Sequence, residues 1–323
     1  RQPPARREEL AGPEVVGVGA AVGFVGRDAV FAEERTKVTE KRRAVHVVSV
    51  WLVMREGTLL PCARYGGGKA LRLPVDPAIL ARVERIEIPW NRQGIDPYGV
   101  SRRHLANMYT LFGWFYRYYF RVKVTGIEHV PKRGRCMLIG NHSGGVAIDG
   151  AMLITSMFME MDPPRLAQGM VEKFMSRIPI NALWMDRTGQ FTGLPETAER
   201  LLRDERMLMV FPEGARGTAK LYWERHSLVD FGTGFMRLAL KTGTPIVPAG
   251  ILGGGEALPT VMNAYTLGKL VGAPYVPVVP YLLPVPLPVN MEIHYGAPMR
   301  FQGNGSEEDE VVQGYVEEVR RAV

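Results

Sequence analysis

Cysteine is scarce in this chain. Cys62 and Cys136 are the two cysteines among 323 residues. They lie too far apart for a disulfide framework or a zinc knuckle, so a reducing compartment is the expectation. A membrane-spanning run is also missing. The longest uncharged stretch, Leu270 to Val289, is long enough to cross a bilayer. It carries prolines at 274, 277, 280, 284, 286 and 288, each of which removes a backbone donor, so a spanning helix is excluded. The apolar run Val15 to Val25 is short and Gly-rich, with no small-residue cleavage pattern after it. The chain opens at Arg1 rather than at Met, which leaves the true start open. Gly66-Gly67-Gly68-Lys69 lacks the spacing and the Ser/Thr of a phosphate loop and reads as a turn.

What is present is ordinary globular material, 46% hydrophobic and 23% charged, able to bury a real core. The net charge of +7 is uneven. Arg102, Arg103, Arg117, Arg121, Lys123, Lys132, Arg133 and Arg135 face one acid, Glu128, and this window holds all the excess. An anionic lipid surface, a nucleic acid or a plain solvated face would each account for it. Within the window, Tyr109 to Phe120 (YTLFGWFYRYYF) is mostly aromatic. Rings beside basic residues suit the headgroup level of a bilayer, and a core helix packed on a sheet explains the rings equally well. Nucleic-acid binding has no supporting fold signal.

Residues 1–85 read as an N-terminal extension of unknown function, with charge clusters at Arg6–Glu9 and Glu33–Arg43 and a strand-like stretch at Val45–Val53. Residues 86–323 have a regular α/β texture. Strands are expected near 121–124, 136–140, 207–211, 245–251 and 290–295. Helices are expected at 149–159, capped by Asp149, at 195–205, at 232–241, stopped by Gly243, and after Ser306 and Asp309 as caps, with Val312, Val316 and Val319 on one face. This alternation predicts an α/β fold with a mostly parallel central sheet flanked by helices.

In such sheets ligands bind beyond the carboxyl ends of strands. Two loops there carry chemistry. Asn141-His142-Ser143-Gly144-Gly145 leads to Asp149, and Phe211-Pro212-Glu213-Gly214-Ala215-Arg216-Gly217 follows MLMV. Histidine titrates near neutrality and suits removal of a hydroxyl proton, while a carboxylate on its other nitrogen fixes the tautomer. A capping aspartate beside a structural histidine is the plainer reading of the same pair. Arg216 offers a planar, bidentate grip on phosphate, and a surface Glu/Arg pair is its plainer reading.

Four ordered blocks, NHSGG…D at 141–149, WMDRTG at 184–189, FPEGARG at 211–217 and TPIVPAG at 244–250, resemble the PlsC-type glycerolipid acyltransferases from about Trp90 to the C-terminus. The resemblance implies an enzyme of lipid metabolism that moves a fatty acyl group from acyl-CoA or acyl-carrier protein, as co-substrate, to a glycerolipid hydroxyl. It implies His142 as general base with Asp149 as partner, and Arg187, Glu213, Gly214 and Arg216 as acceptor-binding residues. No cofactor is expected, and no metal, since no second histidine stands at ligand spacing to His142. The resemblance also implies a peripheral position on the cytoplasmic side of a membrane.

The chain departs from the family at one point. Six residues separate His142 from Asp149 where the family usually has four, so the loop must bulge. The wider spacing resembles the monoacylglycerol and diacylglycerol acyltransferase branch. The two arginines in the headgroup blocks favour a lysophospholipid or glycerol phosphate acceptor. A lipid or thioester hydrolase using Ser143 is the other enzyme reading, although no G-x-S-x-G elbow surrounds it. A non-enzymatic lipid-binding module would leave His142 dispensable.

Overall fold

A strand that is apolar on both faces needs a layer on each side, and the chain supplies those layers as helices between strands. The computed structural model describes residues 75–171, 184–281 and 284–323. In chain order the elements are α1 (Pro77–Glu84), α2 (Arg102–Trp114), β1 (Lys123–Thr125), β2 (Cys136–Gly140), α3 (Ile148–Glu160), β3 (Ala167–Val171) and β4 (Phe191–Thr192). They continue with α4 (Pro195–Arg203), β5 (Met207–Val210), α5 (Ala215–Thr218), α6 (Gly234–Thr242), β6 (Ile246–Leu252) and α7 (Gly254–Ala257). The last are β7 (Met262–Ala264), α8 (Tyr265–Val271), β8 (Val276–Val278), β9 (Glu292–Tyr295) and α9 (Asp309–Ala322). The Val45–Val53 stretch, the Gly66–Gly68 turn and both charge clusters lie outside the described residues.

Seven strands form one sheet in the order β1-β9-β6-β2-β5-β3-β4. Every pairing is parallel except β6 with β9. The α/β architecture with a mostly parallel sheet is therefore as the sequence predicts. β2 is central, with Met137 in register with Leu208 of β5 and Ile246 of β6. Its side chains alternate: Cys136 and Leu138 enter a core with α1, α2 and α3, while Met137 and Ile139 enter a second core with α4, α6 and α9. Tyr109 stacks on Phe158 at 3.8 Å, so part of the aromatic run is core. Tyr116 and Phe120 are also buried, whereas Trp114 and Tyr118 are exposed. The run thus divides between an inner and an outer side.

Helix ends follow local chemistry. Gly243, at φ 62°, closes α6 in the left-handed region, the conformation glycine tolerates best. α9 buries Val312, Val316 and Val319 as the spacing predicts. Its expected caps are not used: Glu308 precedes the helix without a side-chain cap, and Ser306 donates to Asn304 Oδ1 instead. The strand expected from Arg121 begins at Lys123, because Arg121 turns at φ 43° and sends its guanidinium to Asn290 Oδ1. α1, ahead of Ile86, buries Ile79 and Val83 in the first core. No helix among the described residues is long and apolar enough to cross a membrane.

Candidate active site

The carboxyl ends of β5, β2 and β6 lie side by side, and each runs straight into a Gly-rich loop. Asn141, just past β2, ties two of these ends together. Its Nδ2 donates to Ile251 O at 2.8 Å, and Ile251 N donates back to Asn141 Oδ1 at 2.6 Å. That pair of hydrogen bonds fixes the backbone from which the next side chain, His142, projects.

His142 is nearly buried, with its Nδ1 2.8 Å from Asp149 Oδ2. Asp149 is fully buried and lies inside the first turn of α3. The expectation that it caps the helix is corrected here: the N-cap is Ala147. The Asp149 carboxylate also accepts from Ser143 N (2.7 Å) and Gly150 N (2.7 Å). These three acceptances orient an acceptor-only group, so Nδ1 carries the proton toward it and Nε2 is the basic nitrogen. Nε2 has no partner among the described residues. The Phe211 ring lies parallel to the imidazole, with centroids 4.1 Å apart, and fixes its plane.

The six-residue spacer is absorbed by backbone. Gly144 and Gly145 take φ of 83° and 66°, and Val146 N and Ile148 N close tight turns on Gly144 O and Val146 O. A Cβ on Gly144 would lie 2.2 Å from Gly254 O, so only glycine fits where the loop passes α7.

The second loop braces the first from behind. Glu213 is buried, and its Oε1 accepts from His142 N at 2.8 Å. Lys220 Nζ reaches Glu213 Oε2 at 2.9 Å and Ser227 O at 2.8 Å, and Val229 N donates to the same carboxylate. Both charges are out of water, so each depends on the other. Sequence reasoning did not find Lys220; its one signal is a lysine between the apolar Ala219 and Leu221. Gly217 closes the stack: a Cβ there would come within 2.8 Å of both the His142 and the Glu213 Cβ atoms. Gly214, at φ 58° and ψ −150°, makes the turn that allows this.

Arg216 is exposed and donates from Nη2 to Asp230 O at 2.8 Å. It forms no ion pair among the described residues, because Lys220 holds the carboxylate that Arg216 was expected to share. Arg187 is half-buried and donates to Gly99 O at 3.2 Å. The structure thus brings His142, Asp149, Glu213, Gly214 and Arg216 onto two touching loops, and places Arg187 against the loop before α2.

An acyltransferase family model matches residues 121–252, the span from the turn before β1 to the end of β6. An uncharacterized protein of Mycobacterium leprae is 30% identical over 275 residues, which cover 81% of this chain and 71% of that one. The chain belongs to the acyltransferase family. An uncharacterized protein of Mycobacterium tuberculosis is 33% identical over 214 residues, 64% of this acyltransferase chain. The match spans 58% of that relative's own length, and the same holds for its Mycobacterium bovis counterpart. The crystal structure of the 1-acyl-sn-glycerophosphate (LPA) acyltransferase PlsC from Thermotoga maritima is 18% identical, with a TM-score of 0.46, covering 76% of this chain and 86% of that chain. His142, Asp149, Glu213, Arg216 and Lys220 all fall within the span matched by the family model.

Proposed function

We propose that this acyltransferase moves a fatty acyl group from an acyl thioester, on CoA or a carrier protein, to the hydroxyl of a phosphate-bearing glycerolipid such as a lysophospholipid or glycerol phosphate. The observation that carries the proposal is the buried His142–Asp149 pair at the carboxyl end of the central strand, with the guanidinium of Arg216, which meets no carboxylate among the described residues, one residue from Gly217, which packs on His142. His142 Nε2 takes the acceptor's hydroxyl proton as the oxygen attacks the thioester carbonyl. The tetrahedral adduct then expels a thiolate, which takes the proton back from the imidazolium, leaving ester and thiol. Asp149 holds the tautomer and stabilises the imidazolium. Arg216 meets the acceptor phosphate bidentately. Glu213 and Gly214 serve this site by shaping the loop.

Ser143 is a poor nucleophile in this setting. It is buried, its N–H is committed to Asp149, and its hydroxyl oxygen lies where a Cβ on Gly254 would come within 2.6 Å. The test is to incubate the protein with labelled acyl-CoA and, in turn, lysophosphatidate, glycerol phosphate, monoacylglycerol and diacylglycerol. Labelled product from the phosphate-bearing acceptors is expected. Product from neutral glycerides alone overturns the acceptor assignment, and thioester loss that no acceptor stimulates overturns the transferase reading.

A further inference from the structure

The segment between Glu256 and Glu292 contains no acid, and Lys269 is its only Lys or Arg. Its first half folds as β7, α8 and β8, a two-stranded hairpin with a short helix at the tip. α8 buries Gly268 alone, so an apolar helix stands almost entirely out of the protein. Leu270 is 74% exposed, Tyr265 58% and Met262 56%, with Leu267 and Val271 beside them. Trp223, 64% exposed, sits on the neighbouring turn, whose Tyr222 N donates to Thr260 O. Exposed apolar surface of this continuity marks an interaction site.

The hairpin is fastened to the candidate active site. Tyr275 OH bonds Thr218 Oγ1, and Asn263 Nδ2 donates to Ala219 O, both at the end of the loop that braces His142. A Cβ on Gly145 would meet Leu258 at 2.8 Å and Pro277 and Thr260 at 3.0 Å, so the His142 loop packs directly on the hairpin base.

We infer that the β7–α8–β8 hairpin, with Trp223, is the element that inserts into the headgroup layer of a bilayer and sets the site over its lipid substrates. The inference rests on the proposed use of glycerolipid and fatty acyl substrates. Three features select a bilayer over a protein partner. Apart from Lys269, no charged group enters the segment to be desolvated or to demand a partner at fixed geometry. Tyr265 accompanies the segment's lone cation, Lys269, and Trp223 stands on the adjoining turn with Glu224 and Arg225, an aromatic and polar mixture that suits a membrane interface. The surface also adjoins the site that must receive molecules dissolved in lipid.

The full chain is mixed with vesicles of phosphatidylcholine and phosphatidylglycerol and sedimented, and Trp fluorescence is followed with brominated phosphatidylcholine. Leu270→Asp should weaken vesicle partition about tenfold or more, given the cost of a buried carboxylate in lipid. Trp223→Phe should remove most of the bromine-dependent quenching. Acyl transfer to a short-chain acceptor dissolved as monomers should be unchanged in both variants. Equal partition of Leu270→Asp and wild type, or quenching that survives Trp223→Phe, overturns the inference. So does self-association without lipid that Leu270→Asp abolishes, since the occupant is then a second copy. Vesicle binding that needs the hairpin, with no acyl transfer by the wild type, keeps the inference as a lipid contact and rejects the enzymatic reading instead.

Discussion

His142 Nδ1 lies 2.8 Å from Asp149 Oδ2 although the two residues are seven positions apart in a loop and a helix start. The contact fixes the direction of the imidazole that is proposed to act as the base. His142→Ala should lower kcat by about a hundredfold or more, the usual range for losing a general base. The fold should be kept but the thermal midpoint lowered, since the variant loses the Phe211 stack and one of the three donors to the buried Asp149 carboxylate. Near wild-type turnover in the variant would sink the mechanism.

Asp149→Asn tests the partner more sharply. The carboxylate receives three donors: the His142 ring, Ser143 N and Gly150 N. An amide offers one oxygen, so at least one of those donors must face an NH2 group. The variant should lose about 1–3 kcal/mol of stability for the unmet donor. It should also lose about a hundredfold or more in rate, through the wrong tautomer. Wild-type rates in the Asn variant would remove Asp149 from the mechanism.

These two residues also mark how far the sequence was legible. Strand-length apolar runs such as CMLIG and MLMV, and the valine stripe of α9, read directly because one face or both must be buried. The Asp149 contact was readable only as a possibility, since the route depends on left-handed φ at Gly144 and Gly145. For Lys220 the apolar neighbours Ala219 and Leu221 hint at burial but not at a partner. Nothing local says that a lysine will turn inward to meet Glu213, because the pair forms only when the chain after α5 folds back. The caps expected at Asp149 and Ser306 failed for one reason: both side groups are used elsewhere, by His142 and by the Asn304 turn.

The Lys220–Glu213 pair predicts a particular pattern of rescue. Lys220→Met leaves a buried carboxylate without its cation and should cost about 3–5 kcal/mol, seen as a lower urea midpoint. Glu213→Gln on that background removes the stranded charge and should recover much of the stability. Turnover should recover less, because a neutral amide holds the His142 N–H more weakly than a carboxylate. Simple additivity of the two substitutions would show that the pair is not coupled.

Alkaline pH should weaken the fold, in part through Cys136. Burial in the β2 core pushes its thiol up to about 12 from an ordinary value of 9.0. The folded state therefore favours the neutral thiol. The stability this gives is complete below pH 9.0 and is lost as pH rises toward about 12. Cys136→Ala should flatten the decline of unfolding free energy in that window by up to about 1.4 kcal/mol per pH unit. Parallel wild-type and variant curves would exclude the thiol as a contributor.

The proposed phosphate-bearing acceptor is tested at Arg216. Its guanidinium is exposed, bound to the Asp230 carbonyl and free of any carboxylate among the described residues, because Glu213 is taken by Lys220. A phosphate on the acceptor would complete it with two parallel charge-assisted bonds, a geometry lysine cannot copy. Arg216→Lys should therefore lower kcat/KM about tenfold or more with lysophosphatidate and glycerol phosphate, and much less with monoacylglycerol. If Arg216 served only to tie the loop to Asp230, the loss would be the same for every acceptor. Running the four acceptors on wild type and Arg216→Lys side by side separates these outcomes: a selective loss assigns the phosphate to Arg216, and a uniform loss, or none, counts against the phosphate acceptor.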